Sequence, residues 1–173
     1  MENLPYKSLL EPILGNLLLD FGGTVMTRAT QTNRSVFKTK SNVLVAPVIC
    51  YESMYGEFMT DYVRNGAQLI AIITNDGWWG NSPGHKQLLS YSRLRSIELR
   101  RSIVRSANTG ISAVINEKGD IINSIEYEKN GIINDKISIS NKLTFYAKYG
   151  DFISRISLFF FIIIFLFYFA KKK

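Results

Sequence analysis

From Ile156 to Ala170 the chain reads ISLFFFIIIFLFYFA, fifteen residues without a charge, and Lys171, Lys172 and Lys173 close it. A helix that is apolar all round and ends in three lysines is a membrane span rather than a buried core helix. At 1.5 Å per residue the run reaches about 22 Å, short of a hydrocarbon core of about 30 Å. Counting from Phe152 adds a turn, and Arg155 can snorkel to the interface. The sequence therefore divides into residues 1–151, a transmembrane helix over 152–170 and a basic tail over 171–173. The positive-inside rule puts the lysines in the cytoplasm and everything before Phe152 on the outer side. No basic region precedes an apolar one at Met1, so export of the first part depends on something upstream or on insertion by the tail.

That first part has the length of about one domain. The formal net charge is +7, but three of the positive charges are the terminal lysines and the rest are scattered. No basic stripe interleaves with aromatics and no nucleic-acid motif is present, which argues against a nucleic-acid partner. One cysteine excludes an internal disulfide and a multi-thiolate metal site, and one histidine makes a His-rich site or a Ser-His or Cys-His dyad a poor reading.

The single cysteine ends the apolar run Val43-Leu44-Val45-Ala46-Pro47-Val48-Ile49, whose Val and Ile content reads as a buried strand. Met54, Tyr55, Phe58, Met59, Tyr62 and Val63 follow at helical spacing. Cys50 thus sits at a strand-to-helix turn with Glu52 beside it. A buried structural cysteine and a nucleophile are both open readings. The turn position favours the nucleophile, because a helix N-terminus stabilises a thiolate.

Upstream, Ser8 and Glu11 fit a capping box for a packing helix that ends near Gly22-Gly23. Residues 27–42 read as a polar loop with a short strand near Ser35–Phe37 that forms a hairpin with the Cys50 strand. Downstream, Leu69–Thr74 is a second buried strand, and strand, helix, strand order implies a right-handed parallel crossover. This strand runs into Asn75-Asp76-Gly77-Trp78-Trp79-Gly80. Ligands bind at the carboxyl ends of parallel strands, so this loop and Cys50 are expected to face each other. One tryptophan is expected to pack and the other to line a substrate site. His85 reads as a loop hydrogen-bonder.

Lys86–Arg101 reads as a helix with Leu88, Tyr91, Leu94 and Ile97 spaced by three, Arg93, Arg95, Arg100 and Arg101 on a mostly solvated face, and Glu98 paired with one of them. Residues 102–107 and 111–115 read as strands about Asn108-Thr109-Gly110, which borders the site. Glu117–Asp120 is a hairpin turn into a strand at 121–125. Residues 131–140 read as an edge strand or arm, and the aromatics of 144–151 suit an interfacial belt.

PVICYES, TNDGWWGNSPGHKQLL, RLRSIELRRSIVRSANTGISAVI and TFYAKYGD before a terminal span together resemble the apolipoprotein N-acyltransferases. These are membrane enzymes whose catalytic domain is of the nitrilase (carbon–nitrogen hydrolase) superfamily. The resemblance implies an α/β fold, the C-terminal part of a nitrilase-like αββα sandwich, followed by one transmembrane helix. It implies a cysteine that takes an acyl group from a phospholipid as a thioester. The α-amine of a diacylglyceryl-cysteine at a lipoprotein N-terminus then accepts that group. No cofactor is implied. The implied location is the bacterial inner membrane, with the soluble domain on the periplasmic side.

Residue by residue, Cys50 matches the nucleophile. Tyr51 and Glu52 match the site-shaping residues after it, and Glu2, before Leu4-Pro5, resembles a further glutamate of the family. Asn75 belongs to the matched loop, and Trp78 and Trp79 match its aromatic pair near the lipid. The superfamily also uses a glutamate base and an oxyanion lysine, upstream of the position that Glu2 matches. Lys7 and Lys38 do not stand in that lysine's place. The resemblance therefore casts this chain as the C-terminal part of a longer enzyme, with little activity alone. A membrane-tethered amidase or nitrilase-type hydrolase, with water as acceptor, and a non-catalytic remnant of the fold are the alternatives.

Overall fold

The computed structural model describes residues 31–171. Glu2, Lys7, the capping box at Ser8 and Glu11, and Gly22-Gly23 lie outside the described residues. The elements are β1 (Phe37–Lys38), β2 (Leu44–Ile49), α1 (Gly56–Arg64), β3 (Leu69–Thr74), α2 (Pro83–Leu99), β4 (Ile103–Ala107), β5 (Ser112–Ile115), β6 (Ile121–Ile125), α3 (Phe145–Tyr149) and α4 (Phe152–Lys171). Two 3-10 turns, Cys50–Met54 and Gly77–Trp79, follow β2 and β3.

The six strands form one sheet in chain order. β2, β3 and β4 are parallel, with Ile49 opposite Ile73 and Ile73 opposite Ser106. The expected crossover is therefore present. β1 pairs antiparallel with the start of β2, Phe37 opposite Val45 and Lys38 opposite Leu44, which is the expected hairpin shifted by a residue or two. β5 and β6 continue antiparallel beyond β4.

One face of the sheet is packed. Ala46, Val48, Ile70, Ile72 and Ile103 alternate inward and meet Met59, Tyr62 and Val63 of α1 and Leu89 and Leu99 of α2. Fully burying side chains of this size is worth about 1.5–3 kcal/mol each. The other face carries Ile49 and Ile73, which are 64% and 63% exposed. Among the described residues it is one half of a two-sheet sandwich, as the resemblance implies.

One expectation fails on α2, and its spacing of three does not mark the buried face. Tyr91, Leu94 and Ile97 point outward, at 37–42% exposure. The inward stripe is His85, Leu88, Leu89, Ser92, Arg95, Ser96 and Leu99. A strict spacing of three drifts around a 3.6-residue helix, and this stripe keeps the true period with polar side chains. Arg95 and Arg101, expected in solvent, are 5% and 1% exposed. Arg95 pairs with Glu98 at 2.8 Å, and Arg101 donates to the carbonyls of Ala67, Leu99, Arg100 and Lys142.

Residues 131–143 pair with no strand and form an arm, held by the Ser102 hydroxyl on Ser138 O (2.8 Å) and by Arg101 on Lys142 O (2.9 Å). α4 contains an 18-residue stretch, Phe152–Phe169, that is long and apolar enough to cross a membrane, and none of it is buried against the domain.

Candidate functional site

β2 delivers Cys50 to the carboxyl end of the sheet. The residue has φ +51°, the left-handed region that non-glycine side chains rarely occupy. The next α-helix does not start there. A 3-10 turn spans Cys50–Met54 and α1 begins at Gly56, so the expected α-helical N-terminus at Cys50 is replaced by a tighter turn. The reason lies in the turn's own side chains. β1 covers only the first residues of β2, so among the described residues no strand pairs with Ile49 on that edge. The Glu52 carboxylate fills the gap, accepting the Ile49 N–H at 2.8 Å. Buried Ser53 donates its hydroxyl to the Cys50 carbonyl at 2.8 Å. Both backbone groups flanking the thiol are thereby fixed, and a left-handed residue persists only where its surroundings over-determine it.

The neighbouring strand brings the second loop. Ile49 lies opposite Ile73, so the Cys50 turn and the loop after β3 leave the same end of the sheet. Asn75 caps its own loop, accepting the Gly77 N–H at 3.2 Å. Asp76 has no exposed surface and turns inward. It pairs with buried Arg105 at 2.5 Å and accepts from the Thr74 hydroxyl at 2.6 Å.

The third loop closes on the same carboxylate. The Asp76 N–H donates to Thr109 O at 2.7 Å and the Asn108 N–H to Thr74 O at 3.0 Å. A side chain at Gly110 (φ +141°) would collide with Asp76 Oδ2. The Asn108-Thr109-Gly110 turn thus borders the site, as expected. The ion pair of Asp76 and Arg105 thus ties the ends of β3 and β4 to the turn before β5.

The aromatics divide. Trp78 is 77% exposed. Trp79 follows it in the same 3-10 turn. Tyr51 is partly exposed, and burial of its ring edge, with the negative charges of Cys50 as thiolate and of Asp76, raises its pKa above the ordinary 10. Its phenol therefore stays neutral at working pH. Tyr51, Met54, Leu88 and Tyr91 supply the apolar walls of a cavity of about 320 Å³ between the Cys50 turn and the start of α2, with Ser82 and Gln87 as polar points.

Some residues of this region were missed. Asp76 and Arg105 were not singled out, though a carboxylate directly after a buried strand is a visible signal. His85 is no loop residue. It is 1% exposed in the first turn of α2, its ring lies 4.5 Å from that of Tyr127, and its Nδ1 has no hydrogen-bond partner among the described residues.

The start of the apolar helix lies at this same end. α1 leaves the Cys50 turn, and Glu57 in its first turn accepts the Asp151 N–H at 2.8 Å and pairs with Arg155. Exposed Tyr55 and Tyr149 flank that junction.

The carbon–nitrogen hydrolase family model matches residues 8–141. The chain is 34% identical over 150 residues to the apolipoprotein N-acyltransferase of Shewanella oneidensis, covering 87% of this chain and 28% of that one. It is 37% identical over 151 residues to the enzyme of that name from Bradyrhizobium diazoefficiens, covering 87% and 27%. The chain thus spans little over a quarter of the length of these curated relatives. Among solved structures, an amidase from Nesterenkonia sp. aligns with a TM-score of 0.48 at 17% identity, covering 58% of this chain and 40% of the amidase.

Proposed function

Because this chain belongs to the carbon–nitrogen hydrolase family, we propose that Cys50 is the acyl-accepting nucleophile of an apolipoprotein N-acyltransferase. The observation that carries the reading is the held left-handed turn at Cys50, at the carboxyl end of a parallel strand. In this reading the Cys50 thiolate attacks the ester carbonyl of a phospholipid. The oxyanion collapses, the C–O bond breaks, and the lysophospholipid alkoxide leaves and takes a proton. The α-amine of a diacylglyceryl-cysteine then attacks the thioester, the C–S bond breaks, and the amide forms as the amine loses its proton.

Tyr51 and Glu52 shape the turn, Asn75 sets the neighbouring loop, and exposed Trp78 faces the lipid, with Trp79 assigned to the same role by the family's aromatic pair alone. Glu2, ahead of the stretch that the family model matches, is assigned to the same site by its place before Leu4-Pro5 alone. The apolar walls by Tyr51, Met54, Leu88 and Tyr91 suit the first methylenes of an acyl chain. α4 is read as a span of the bacterial inner membrane, lysines cytoplasmic and domain periplasmic, supported by its length, its apolarity and the positive-inside rule.

A glutamate base and an oxyanion lysine are needed for turnover. Lys38 does not supply the latter, since it pairs with Leu44, six residues of strand and roughly 20 Å from Cys50. The 173-residue chain by itself is therefore read as a poor catalyst. The test uses the purified chain in micelles with phosphatidylethanolamine carrying an alkyne-tagged acyl chain. At alkaline pH, where a thiol ionises without a base, hydroxylamine-labile label is expected on wild type and absent from Cys50→Ser. Multiple turnovers onto a diacylglyceryl-cysteine peptide at neutral pH would overturn the statement about weak activity. Labelling by a short amide in preference to the phospholipid would favour the hydrolase, and no label from either would leave a non-catalytic fold.

A further inference from the structure

The junction between the domain and the apolar helix is built around one carboxylate. Glu57 Oε1 accepts the Asp151 N–H at 2.8 Å, immediately before α4 begins, and the same oxygen pairs with the Arg155 guanidinium one turn into α4. Gly150, at φ +65°, is part of the arrangement, because a side chain there would collide with that oxygen. Asp151 caps α4 itself, accepting the Ser154 N–H at 3.2 Å and the Ser154 hydroxyl at 2.5 Å.

The preceding segment is strapped just as firmly. The Arg64 Nε donates to Ala147 O at 2.7 Å, and the Thr144 hydroxyl donates to Glu98 O at 2.6 Å. α3 is thus fixed to both α1 and α2, and α4 continues from it after a single turn. Glu57 lies seven positions after Cys50, at the end of α1 that adjoins the Cys50 turn.

We propose that Glu57 is a positioning residue: its carboxylate docks the start of the membrane helix against the first turn of α1, directly after the Cys50 turn, and so sets the height of the thiol above the lipid. The inference rests on the reading of α4 as a membrane span. The Glu57–Arg155 pair is half-exposed, and such a pair is weak in water. At a membrane surface the lower dielectric strengthens it, which is where the docking is required. Freed of Glu57, α4 keeps its own cap at Asp151 and the Arg155 bond to Tyr149 O at 3.2 Å and remains a helix, but it loses its direct tie to α1. Glu57 touches no reacting atom and acts through that tie alone.

Cys50 is the single cysteine of the chain, so a maleimide fluorophore reports on this position and no other. The labelled full chain is placed in vesicles of phosphatidylethanolamine and phosphatidylglycerol, with nitroxide lipids carrying the spin label at the headgroup or deep in the acyl chain. Wild type is expected to show strong headgroup quenching. Glu57→Gln is expected to lose much of it, with the undocked population rising roughly fivefold for loss of an interaction of this class. Glu57→Arg combined with Arg155→Glu restores the ion pair but not the acceptor for the Asp151 N–H, so it is expected to quench more than Glu57→Arg alone and less than wild type, a partial rescue that a merely structural role for Glu57 would not produce. Unchanged quenching in Glu57→Gln, with the chain still resistant to carbonate extraction, overturns the clamp alone. So does a charge swap that quenches no more than Glu57→Arg alone. Extraction of wild type by carbonate overturns the span and the clamp together.

Discussion

Asp76 and Arg105 form an ion pair of 2.5 Å in which the two side chains are 0% and 2% exposed. It joins the end of β3 to β4, and the Arg105 guanidinium reaches on to the carbonyl of Ile111. Removing one member of such a pair leaves an uncompensated buried charge, at a cost of about 3–5 kcal/mol. Asp76→Asn is expected to lower the urea midpoint accordingly and to displace the Trp78 loop, read as a shift in tryptophan emission. The double variant Asp76→Leu with Arg105→Met is expected to regain most of the stability but not the wild-type emission. Equal stability of Asp76→Asn and wild type would show that the pair holds nothing.

The turn at Cys50 makes a prediction of opposite sign. A non-glycine residue in the left-handed region costs about 1–2 kcal/mol, and glycine returns part of this as entropy. Cys50→Gly is expected to be as stable as wild type or more so, by up to about 1 kcal/mol, while abolishing acyl labelling. A clear loss of stability in urea titrations would mean that the thiol packs the turn rather than straining it.

Glu52 holds that turn through one hydrogen bond to the backbone. Glu52→Gln keeps an acceptor oxygen, and Glu52→Ala leaves the Ile49 N–H alone, at a cost of about 1 kcal/mol. Acyl labelling of Cys50 is expected to persist in the Gln variant and to fall in the Ala variant. Equal loss in both would assign Glu52 a charge-dependent role instead.

The strand ends were legible because Val, Ile and Leu runs, the single cysteine and the Asn-Asp-Gly loop all follow the rules of parallel sheets, and the register of Ile49 on Ile73 agrees. The inward face of α2 was not legible. His85, Ser92, Arg95 and Ser96 are polar yet buried, with Ser92, Arg95 and Ser96 bonded to Leu88, Glu98 and Arg93 on the same helix, so no apolar period marks them. The tilt of the Cys50 turn was also hidden. It follows from β1 being too short to cover Ile49, which only the pairing reveals.

Arg101 shows how far such burial reaches. Its guanidinium, 1% exposed and with its pKa lowered by desolvation, serves four carbonyls, two of them at Ala67 and Lys142. Arg101→Met is expected to orphan those acceptors and to cost about 3 kcal/mol. Amide exchange near Lys142 and Leu143 should quicken more than in β3, because the arm loses one of the ties that hold it. Uniform exchange across both would place the defect in the core instead.

Glu98 carries a pH dependence whose sign is fixed by its surroundings. Burial raises its pKa above the ordinary 4.5, the Arg95 guanidinium opposes the shift, and Asp151 adds to it. A carboxyl with a raised folded-state pKa binds its proton more tightly folded than unfolded. Its contribution is therefore most favourable below about pH 4.5 and is lost as pH rises through the folded value. Glu98→Gln removes this dependence. Relative to the Gln variant, wild type is expected to lose stability between pH 4 and pH 7, read from urea midpoints at unchanged slope. A wild type that instead gained on Glu98→Gln over that range would show that the Arg95 pair outweighs desolvation.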